Sequence, residues 1–184
     1  MYELSLNILD IVQNSISAKA SLILIYVELD TIKDSMKILI EDNGTGMSEA
    51  QMQKAADPFY TTRTTRSVGL GLSYFEMVSE MCNGAFHLSS ELGKGTTVEA
   101  TFQLSHVDRM PLGNMGQTLA LLAGSNPDIE FVYQLNRDAD IFEFDTREIK
   151  DLLDGVSINT PDVIVYMESY INENSEKIIG GIQL

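Results

Sequence analysis

Three pairs of glycines divide the first hundred residues and constrain how this part of the chain can fold. The pairs are Gly44 and Gly46 after an apolar run, Gly69 and Gly71 at the start of a helical pattern, and Gly93 and Gly95 between two strand-like runs. Glycine permits tight turns and close backbone approaches that other residues resist. At the start of a helix it also leaves backbone N–H groups accessible to an anion such as phosphate. Each pair alone is a weak signal, because ordinary turns contain the same residues.

The spacing of apolar residues predicts an α/β fold. Residues 3–18 carry apolar side chains at helical spacing, and 22–29 and 36–41 are typical of buried strands. The remaining predicted elements are a short helix after Ser48, a helix over 69–83, strands over 85–90 and 96–104, a helix over 114–123, strands over 129–135 and 141–144, and helices over 146–153 and 161–172. Residues 57–68 are polar and lack periodicity, so we expect a mobile loop there.

The composition and the residue pattern of the sequence change after about residue 105. Residues 106–113 have the composition of a connector, and the helix and strand patterns resume beyond it. We therefore expect one domain over 1–105 and a small α/β appendix of unknown role over 106–184. Both parts are acidic, and the second has the higher density of acidic residues.

The charge of the chain excludes several classes of partner. The formal net charge is −15, whereas nucleic acids and anionic membranes are bound by clustered Lys and Arg. The longest apolar run, 22–27, is too short to span a bilayer. No basic segment precedes an apolar one at the N-terminus, so we expect no signal peptide and a cytoplasmic location.

Several common sites can be set aside on residue identity. Glu49 and Tyr74 stand where the third glycine of a dinucleotide-binding fingerprint would be, and Gly93-Lys94-Gly95 lacks the flanking residues of a P-loop. No spacing of Cys or His indicates a zinc site. The single cysteine, Cys82, is expected to be a small buried hydrophobe rather than a reactive thiol.

Five short motifs occur in an order that is more informative than any of them alone. They are Asp10-x-x-x-Asn14 on the first helix, the Asp-Asn-Gly-Thr-Gly-Met segment 42–47, the segment 58–63 (Pro-Phe-Tyr-Thr-Thr-Arg), the Gly-Leu-Gly-Leu segment 69–72, and the turn 93–97. In this order and spacing they resemble the N, G1, F and G2 boxes and the closing turn of the GHKL ATPases, the superfamily of gyrase, Hsp90, histidine kinases and MutL. The resemblance covers most of residues 7–101.

The resemblance implies a two-layer α/β sandwich of the Bergerat type. A mixed sheet would be covered by helices, with Mg-ATP held between helices under a lid that runs from about 57 to 68. By the same resemblance Asn14 is the ligand of Mg²⁺, and Asp42 accepts a hydrogen bond from the exocyclic amine of adenine. The other nucleotide-binding residues that it implies are Gly44, Gly46, Met47, Phe59, Gly69, Leu70, Gly71, Leu72 and Thr96.

Three cations are candidates for the phosphates in this acidic chain. Arg63, Arg66 and Lys94 lie in or beside the implied site. Arg63 stands where relatives with this F box often carry Lys. The arginines either contact the γ-phosphate or are solvated charges of the lid, and the sequence leaves both readings open.

Asp10 departs from the pattern of the ATP-hydrolysing branches. Mismatch-repair and chaperone relatives carry Glu four residues before the Asn, where it acts as general base on water. Asp keeps the carboxylate but is one methylene shorter, and geometry decides whether it reaches the water. Asp10 is therefore a general base, a residue of the Mg²⁺ shell, or an idle helix residue.

The implied activity has two forms. The chain is either an enzyme, as a slow ATPase or a kinase that phosphorylates a separate protein in the manner of anti-sigma kinases, or a non-catalytic switch that binds ATP and presents a surface to a partner protein. His87 and His106 lie in a predicted strand and in the connector, so neither has the surroundings of a phosphoacceptor. The sequence does not indicate the partner, the oligomeric state or the pathway.

Overall fold

A computed structural model of the chain describes residues 3–55 and 70–180. The elements are α1 (Leu4–Ser17), β1 (Leu22–Asp30), β2 (Ser35–Asp42), α2 (Glu49–Ala55), α3 (Leu70–Met81), β3 (Phe86–Glu91), β4 (Gly95–Gln103), α4 (Met115–Ser125), β5 (Glu130–Arg137), β6 (Asp140–Asp145), α5 (Thr146–Leu152) and α6 (Pro161–Ile179). Each helix and strand predicted for these residues is present. The predicted loop over 57–68 lies outside the described residues.

The last helix is longer than its sequence pattern suggested. It was expected to end near residue 172 but continues to Ile179, because Ile171 and Ser175 stay on its buried face. Gly180 ends it with φ 57°, the left-handed conformation that favours glycine at a helix C-terminus.

The strands form one open sheet in the described part of the chain, in the order β3-β4-β2-β1-β5-β6. Strands β1 and β5 run parallel, and the other neighbouring strands are antiparallel. The sheet is thus mixed. Helices pack on it as a second layer, which confirms the predicted fold class.

One face of the sheet forms the core. The alternate residues of β1 that face the helices are all buried, namely Ile23, Ile25, Val27 and Leu29. Side chains on the opposite face are only partly buried along β1, β2 and β5. This alternation is the period-two pattern of a sheet with one covered face.

Helix α1 packs on this core through a single apolar stripe. Leu4, Ile8 and Val12 are fully buried, and Ile11 is almost so. The helix contacts β2, α3 and α4. The rotation of α1 about its own axis is therefore fixed, and its polar side chains lie beside the apolar stripe.

Residues 106–180 extend the same sheet and the same core. Strand β5 pairs with β1 over its whole length, from Leu22 opposite Glu130 to Leu29 opposite Arg137. Helix α4 contacts both α1 and α6. The division into a domain over 1–105 and an appendix over 106–184 stays a prediction about how the chain folds.

The environment of Cys82 agrees with its expected role. Cys82 is buried, and burial raises the pKa of its thiol, so it is a core residue rather than a reactive one. In the described ranges no helix combines the length and the hydropathy needed to cross a bilayer.

The shared sheet leads to a stability prediction. Leu135 on β5 is fully buried opposite Val27 of β1, so Leu135→Ala should lower the free energy of unfolding by about 2 to 5 kcal/mol. Its neighbour Gln134 lies on the partly exposed face of the sheet. Gln134→Ala should therefore change the free energy of unfolding by about 0.5 kcal/mol or less. Urea unfolding followed by circular dichroism should show one transition, and Leu135→Ala should shift all of it. Two transitions, with only one shifted, would show that 106–184 unfolds as a unit of its own.

Candidate functional site

The carboxylate of Asp42 is held in place at the end of β2. The Ser15 hydroxyl of α1 donates to its Oδ2 at 2.6 Å, and the backbone N–H of Gly44 donates to its Oδ1 at 2.8 Å. Asp42 is 8% exposed. A carboxylate has about four lone-pair positions, and these two bonds use two of them. The side chain is therefore fixed in orientation and can still accept a hydrogen bond from a ligand.

The segment after Asp42 is tied to the start of β1. The side-chain oxygen of Asn43 accepts hydrogen bonds from the backbone N–H groups of Ser21 and Leu22, at 2.9 and 3.0 Å. Its amide nitrogen donates to the Ser21 hydroxyl at 2.9 Å. This clamp explains why the Asp-Asn-Gly sequence does not form a simple hairpin turn here.

The glycines of this segment and of the 91–95 turn let three loops meet. A Cβ on Gly44 would lie 2.8 Å from the carbonyl oxygen of Ala18, and one on Gly46 would lie 2.0 Å from that of Glu91. A Cβ on Gly95 would lie 1.8 Å from the carbonyl oxygen of Asp42. Each of these approaches is to protein backbone. That Gly44 and Gly46 also close on a bound ring stays a prediction.

Ser90 joins the two sides of this junction. Its hydroxyl accepts from the backbone N–H of Met47 at 2.8 Å and donates to the carbonyl oxygen of Gly95 at 2.8 Å. The hydroxyl of Thr96 lies 2.9 Å from Oγ of Ser90, and Thr96 is the β4 neighbour of Asp42 in the sheet. Asp42, Gly44, Gly46, Met47 and Thr96, predicted from separate motifs, thus lie in one cluster.

A second group of predicted residues lies where α1 meets the start of α3. Asp10 and Asn14 are one helical turn apart on α1, beside its buried stripe. A Cβ on Gly71 would lie 3.3 Å from the Cβ of Asp10 and 3.8 Å from its Oδ2. The first turn of α3 therefore lies against Asp10 at Gly71.

The Asp10 side chain is exposed on α1, but the protein that lies beside it desolvates the carboxylate and raises its pKa above the usual range of an aspartate. The cause is desolvation of the charged form by the surrounding protein. A carboxylate with a raised pKa accepts a proton more readily, which is a property of general bases.

The two groups lie at different heights along α1. Ser15, which holds Asp42, follows Asp10 by five residues, an axial distance of about 8 Å. A ligand that contacts Asp42 at one end can therefore extend along α1 towards Asp10 and Gly71 at the other.

The residues at the second end fit a Mg²⁺ ion that is shared with phosphates. Asn14 offers an uncharged oxygen and Asp10 a carboxylate. Among residues 3–55 and 70–180 there is no group of three acidic, His or Cys side chains that could hold a metal ion by themselves. Mg²⁺ usually keeps several waters and binds through one or two protein oxygens together with substrate phosphates.

Other predicted site residues are elsewhere or outside the described part of the chain. Lys94 is exposed on the 91–95 turn, and its Nζ lies 2.9 Å from Oε2 of Glu91. Leu72 packs against the core on α3. Phe59, Arg63, Arg66 and Gly69 lie outside the described residues, as does the side chain of Leu70.

The structure also identifies two functional residues whose roles the sequence did not reveal. Ser15 orients Asp42, and Ser90 joins Met47 to Thr96. A buried serine on a polar-flanked helix was the available signal for Ser15. For Ser90 the sequence contains no signal, because its partners come from two separate segments, at Met47 and at Gly95–Thr96.

Comparison with known proteins places this geometry in context. The family model of histidine kinase-, DNA gyrase B- and HSP90-like ATPases matches residues 3–106. The chain is 34% identical over 91 residues to the sensor protein DegM of a Bacillus species, covering 50% of this chain and 24% of that protein. It is 36% identical over 75 residues to sporulation kinase B of Bacillus subtilis, covering 41% and 17%. Sporulation kinase E of the same organism is 36% identical over 78 residues, covering 42% and 10%.

The chain thus spans no more than about a quarter of the length of these curated relatives.

The hydrogen bond between Ser15 and Asp42 leads to a test of the first group. Ser15→Ala removes a charge-assisted bond, so Asp42 should lose its fixed orientation. We expect the Kd for ATP, the ligand that the sequence resemblance implies, to rise about tenfold, the scale of about 1.5 kcal/mol. Isothermal titration calorimetry measures it. Ser17→Ala, an exposed site on the same helix, should leave the Kd unchanged. Equal ATP affinity of Ser15→Ala and the wild type would contradict the positioning role.

Proposed function

The chain belongs to the family of histidine kinase-, DNA gyrase B- and HSP90-like ATPases, and from this membership we propose that it uses Mg-ATP as a slow ATPase or as a kinase acting on a separate protein. ATP binding follows from the family, and the roles of individual residues are our proposal. Asp42 would accept a hydrogen bond from adenine. The start of α3 would contact the phosphates.

Asp10 carries the enzymatic part of the proposal. It is a partly desolvated carboxylate on α1 that lies against Gly71 at the start of α3. If the phosphates bind at that helix start, Asp10 is placed to take the proton from an attacking water or hydroxyl group. Its short side chain supports a slow reaction, because a base must reach hydrogen-bonding distance of the proton that it removes.

Asn14 would act through the metal. Its amide oxygen is suited to complete an octahedral Mg²⁺ shell made mostly of phosphate oxygens and waters. The ion would neutralise phosphate charge in a protein with a net charge of −15. Magnesium is thus central to how an acidic chain holds ATP.

Similarity to sensor and sporulation kinases supports transfer to a protein. These relatives are named as a sensor protein and a sporulation kinase, and this chain is similar to part of each. His87 is exposed on β3, and His106 lies in the connector. Both histidines lie on elements other than α1 and α3, which carry Asp10 and Gly71. We therefore propose that a phosphoacceptor is supplied by another protein.

A second function is a switch without turnover. The length of Asp10 favours this switch. Asp is one methylene shorter than Glu, so ATP would bind without efficient activation of water. In this function the nucleotide alters the surface that the chain presents to a partner protein.

The role of Asn14 is tested by the dependence of ATP binding on Mg²⁺. Asn14→Ala should abolish most of the increase in ATP affinity that Mg²⁺ produces in the wild type, because one ligand of the shared ion is lost. Calorimetric titrations with and without Mg²⁺ measure this difference. Gln13→Ala, an exposed neighbour on α1, is the control. Normal strengthening by Mg²⁺ in Asn14→Ala would show that the metal is held elsewhere.

Turnover is tested at Asp10. Asp10→Asn should keep ATP affinity and lower phosphate release by roughly 100-fold, the scale of lost general-base assistance. Because burial raises the pKa of Asp10, the wild-type rate should increase with pH through that pKa, and this limb should vanish in Asp10→Asn. Asp10→Glu should hold or raise the rate.

The outcomes separate the two functions. Hydrolysis that appears only in Asp10→Glu would favour the switch. A measurable wild-type rate that neither substitution changes would show that Asp10 is idle.

A further inference from the structure

The sheet ends at β6, which belongs to residues 106–180 and lies outside the ATPase-like segment. In the described part of the chain β6 pairs with β5 on one side and has no strand on the other. At the opposite end of the sheet α2 contacts the edge strand β3. An edge strand presents a row of N–H and C=O groups that another chain can pair with. The free edge of β6 is therefore a potential binding surface.

The backbone groups that point to this edge can be identified. The N–H of Phe131 on β5 donates to Oγ1 of Thr146, just beyond β6, at 2.9 Å. In an antiparallel pair the residues that turn their backbone groups to the partner strand alternate along the chain. With the register of β5 and β6, this alternation directs the N–H and C=O groups of Ile141 and Glu143 away from β5. Two residues thus offer their backbone groups to an added strand.

Two exposed aromatic rings lie beside this edge on the helical side of the sheet. The ring of Tyr170 on α6 packs edge-to-face against Phe142 of β6, with the ring centroids 5.8 Å apart. The ring of Tyr166 stacks on that of Tyr170 at 5.9 Å, with 17° between their planes. Tyr166 is 54% exposed and Tyr170 is 36% exposed. We call these two residues the tyrosine shelf.

The tyrosine shelf lies on the outer flank of α6. On the inner flank α6 packs against α4, where the side-chain oxygen of Asn172 accepts from the N–H of Gly116 at 3.1 Å. A Cβ on Gly124 of α4 would lie 2.8 Å from Cδ1 of Ile164 on the same flank. The buried stripe of α6 separates this flank from the shelf at helical spacing. The shelf therefore extends towards the free edge of β6 rather than into the helical layer.

The charge around the edge favours a basic partner. Residues 140–154 contain six acidic and two basic residues, and both bases are paired with carboxylates. Asp140 and Glu143 take part in none of the ion pairs found within 3–55 and 70–180. A second copy of the chain is disfavoured, because each copy has a net charge of −15.

The two faces of β6 select different side chains in an added strand, since successive residues of a strand point to opposite faces. On the helical face they would contact Phe142 and the tyrosine shelf, which favours aliphatic residues. On the other face they would lie beside Ile141, which is 60% exposed, and Glu143. Lys and Arg fit there, because the stem can cover Ile141 while the charge pairs with Glu143.

We propose that the free edge of β6 and the tyrosine shelf bind an extended segment of a partner protein in which aliphatic residues alternate with Lys or Arg. The segment adds a seventh strand to the sheet, and its backbone pairs with Ile141 and Glu143. The proposal does not depend on ATP binding.

Calorimetry of the full chain without nucleotide tests the proposal with a peptide of four Lys and three Val in strict alternation. One control peptide has the same residues with the three Val together, so its charge is equal, and a second has Glu in place of Lys. The alternating peptide should bind with 1:1 stoichiometry, and both controls should bind about tenfold more weakly or less. Absence of binding by the alternating peptide, or equal binding by the rearranged one, would overturn the proposal.

Substitutions in the protein locate the binding surface. Tyr166→Ala and Glu143→Lys should each raise the Kd of the alternating peptide about tenfold or more, because one removes the shelf and the other turns attraction into repulsion. Leu121→Ala, at an equally exposed position of α4, and Glu80→Lys, an equal change of charge on α3, should leave the Kd unchanged. Unchanged Kd values in Tyr166→Ala and Glu143→Lys would place the peptide elsewhere and overturn the proposal.

Methylation of the peptide backbone tests the strand pairing without altering the protein. Alternate residues of a paired strand direct their N–H groups to its neighbour, so N-methylation of either the Lys or the Val residues should abolish binding, and N-methylation of the other set should preserve it. Equal effects of the two modifications would overturn the pairing with β6. A dimer of the free chain that the alternating peptide dissociates, measured by sedimentation, would show that a second copy occupies the edge and would also overturn the proposal.

Discussion

The packing of α1 on the sheet fixes where the functional side chains lie. Its apolar stripe of Leu4, Ile8, Ile11 and Val12 is buried against the core, which leaves one rotation of the helix. In that rotation Ser15 is buried and reaches Asp42, whereas Asp10 lies beside the start of α3. A change in the rotation of α1 would separate both pairs at once. The two ends of the proposed ATP site therefore depend on one hydrophobic contact surface.

The same helix links the nucleotide end of the molecule to residues 106–184. Its first residues are hydrogen-bonded to the connector through Pro111 and Leu112, and α4 packs against it. Strand β1, beneath it, is paired on one side with β2 and on the other with β5. The second part of the chain is thus attached to the elements that carry the site.

Local pattern predicted most of the fold but not its long-range pairing. The spacing of apolar residues identified each described helix and strand, because an element that buries one face carries apolar residues at regular intervals along the chain. It underestimated the length of α6. It could not show that β5 joins β1, because parallel pairing between segments a hundred residues apart depends on tertiary register.

The candidate site was predicted in outline for a similar reason. Resemblance supplied Asp10, Asn14, Asp42 and the glycines, and the described ones lie in two adjoining groups. The Ser15–Asp42 bond and the Ser90 junction depend on side chains that meet only in the folded chain. Short motifs carry no information on such contacts.

The central claim is that ATP lies along α1 with its base at Asp42 and its phosphates at Gly71. Amide chemical shifts measured by NMR during titration test it directly. Adenosine should shift the amides of Gly44, Thr45 and Met47, and Mg-ATP should in addition shift those of Gly71 and Leu72. Shifts from adenosine at Gly71 but not at Gly44 would contradict the account.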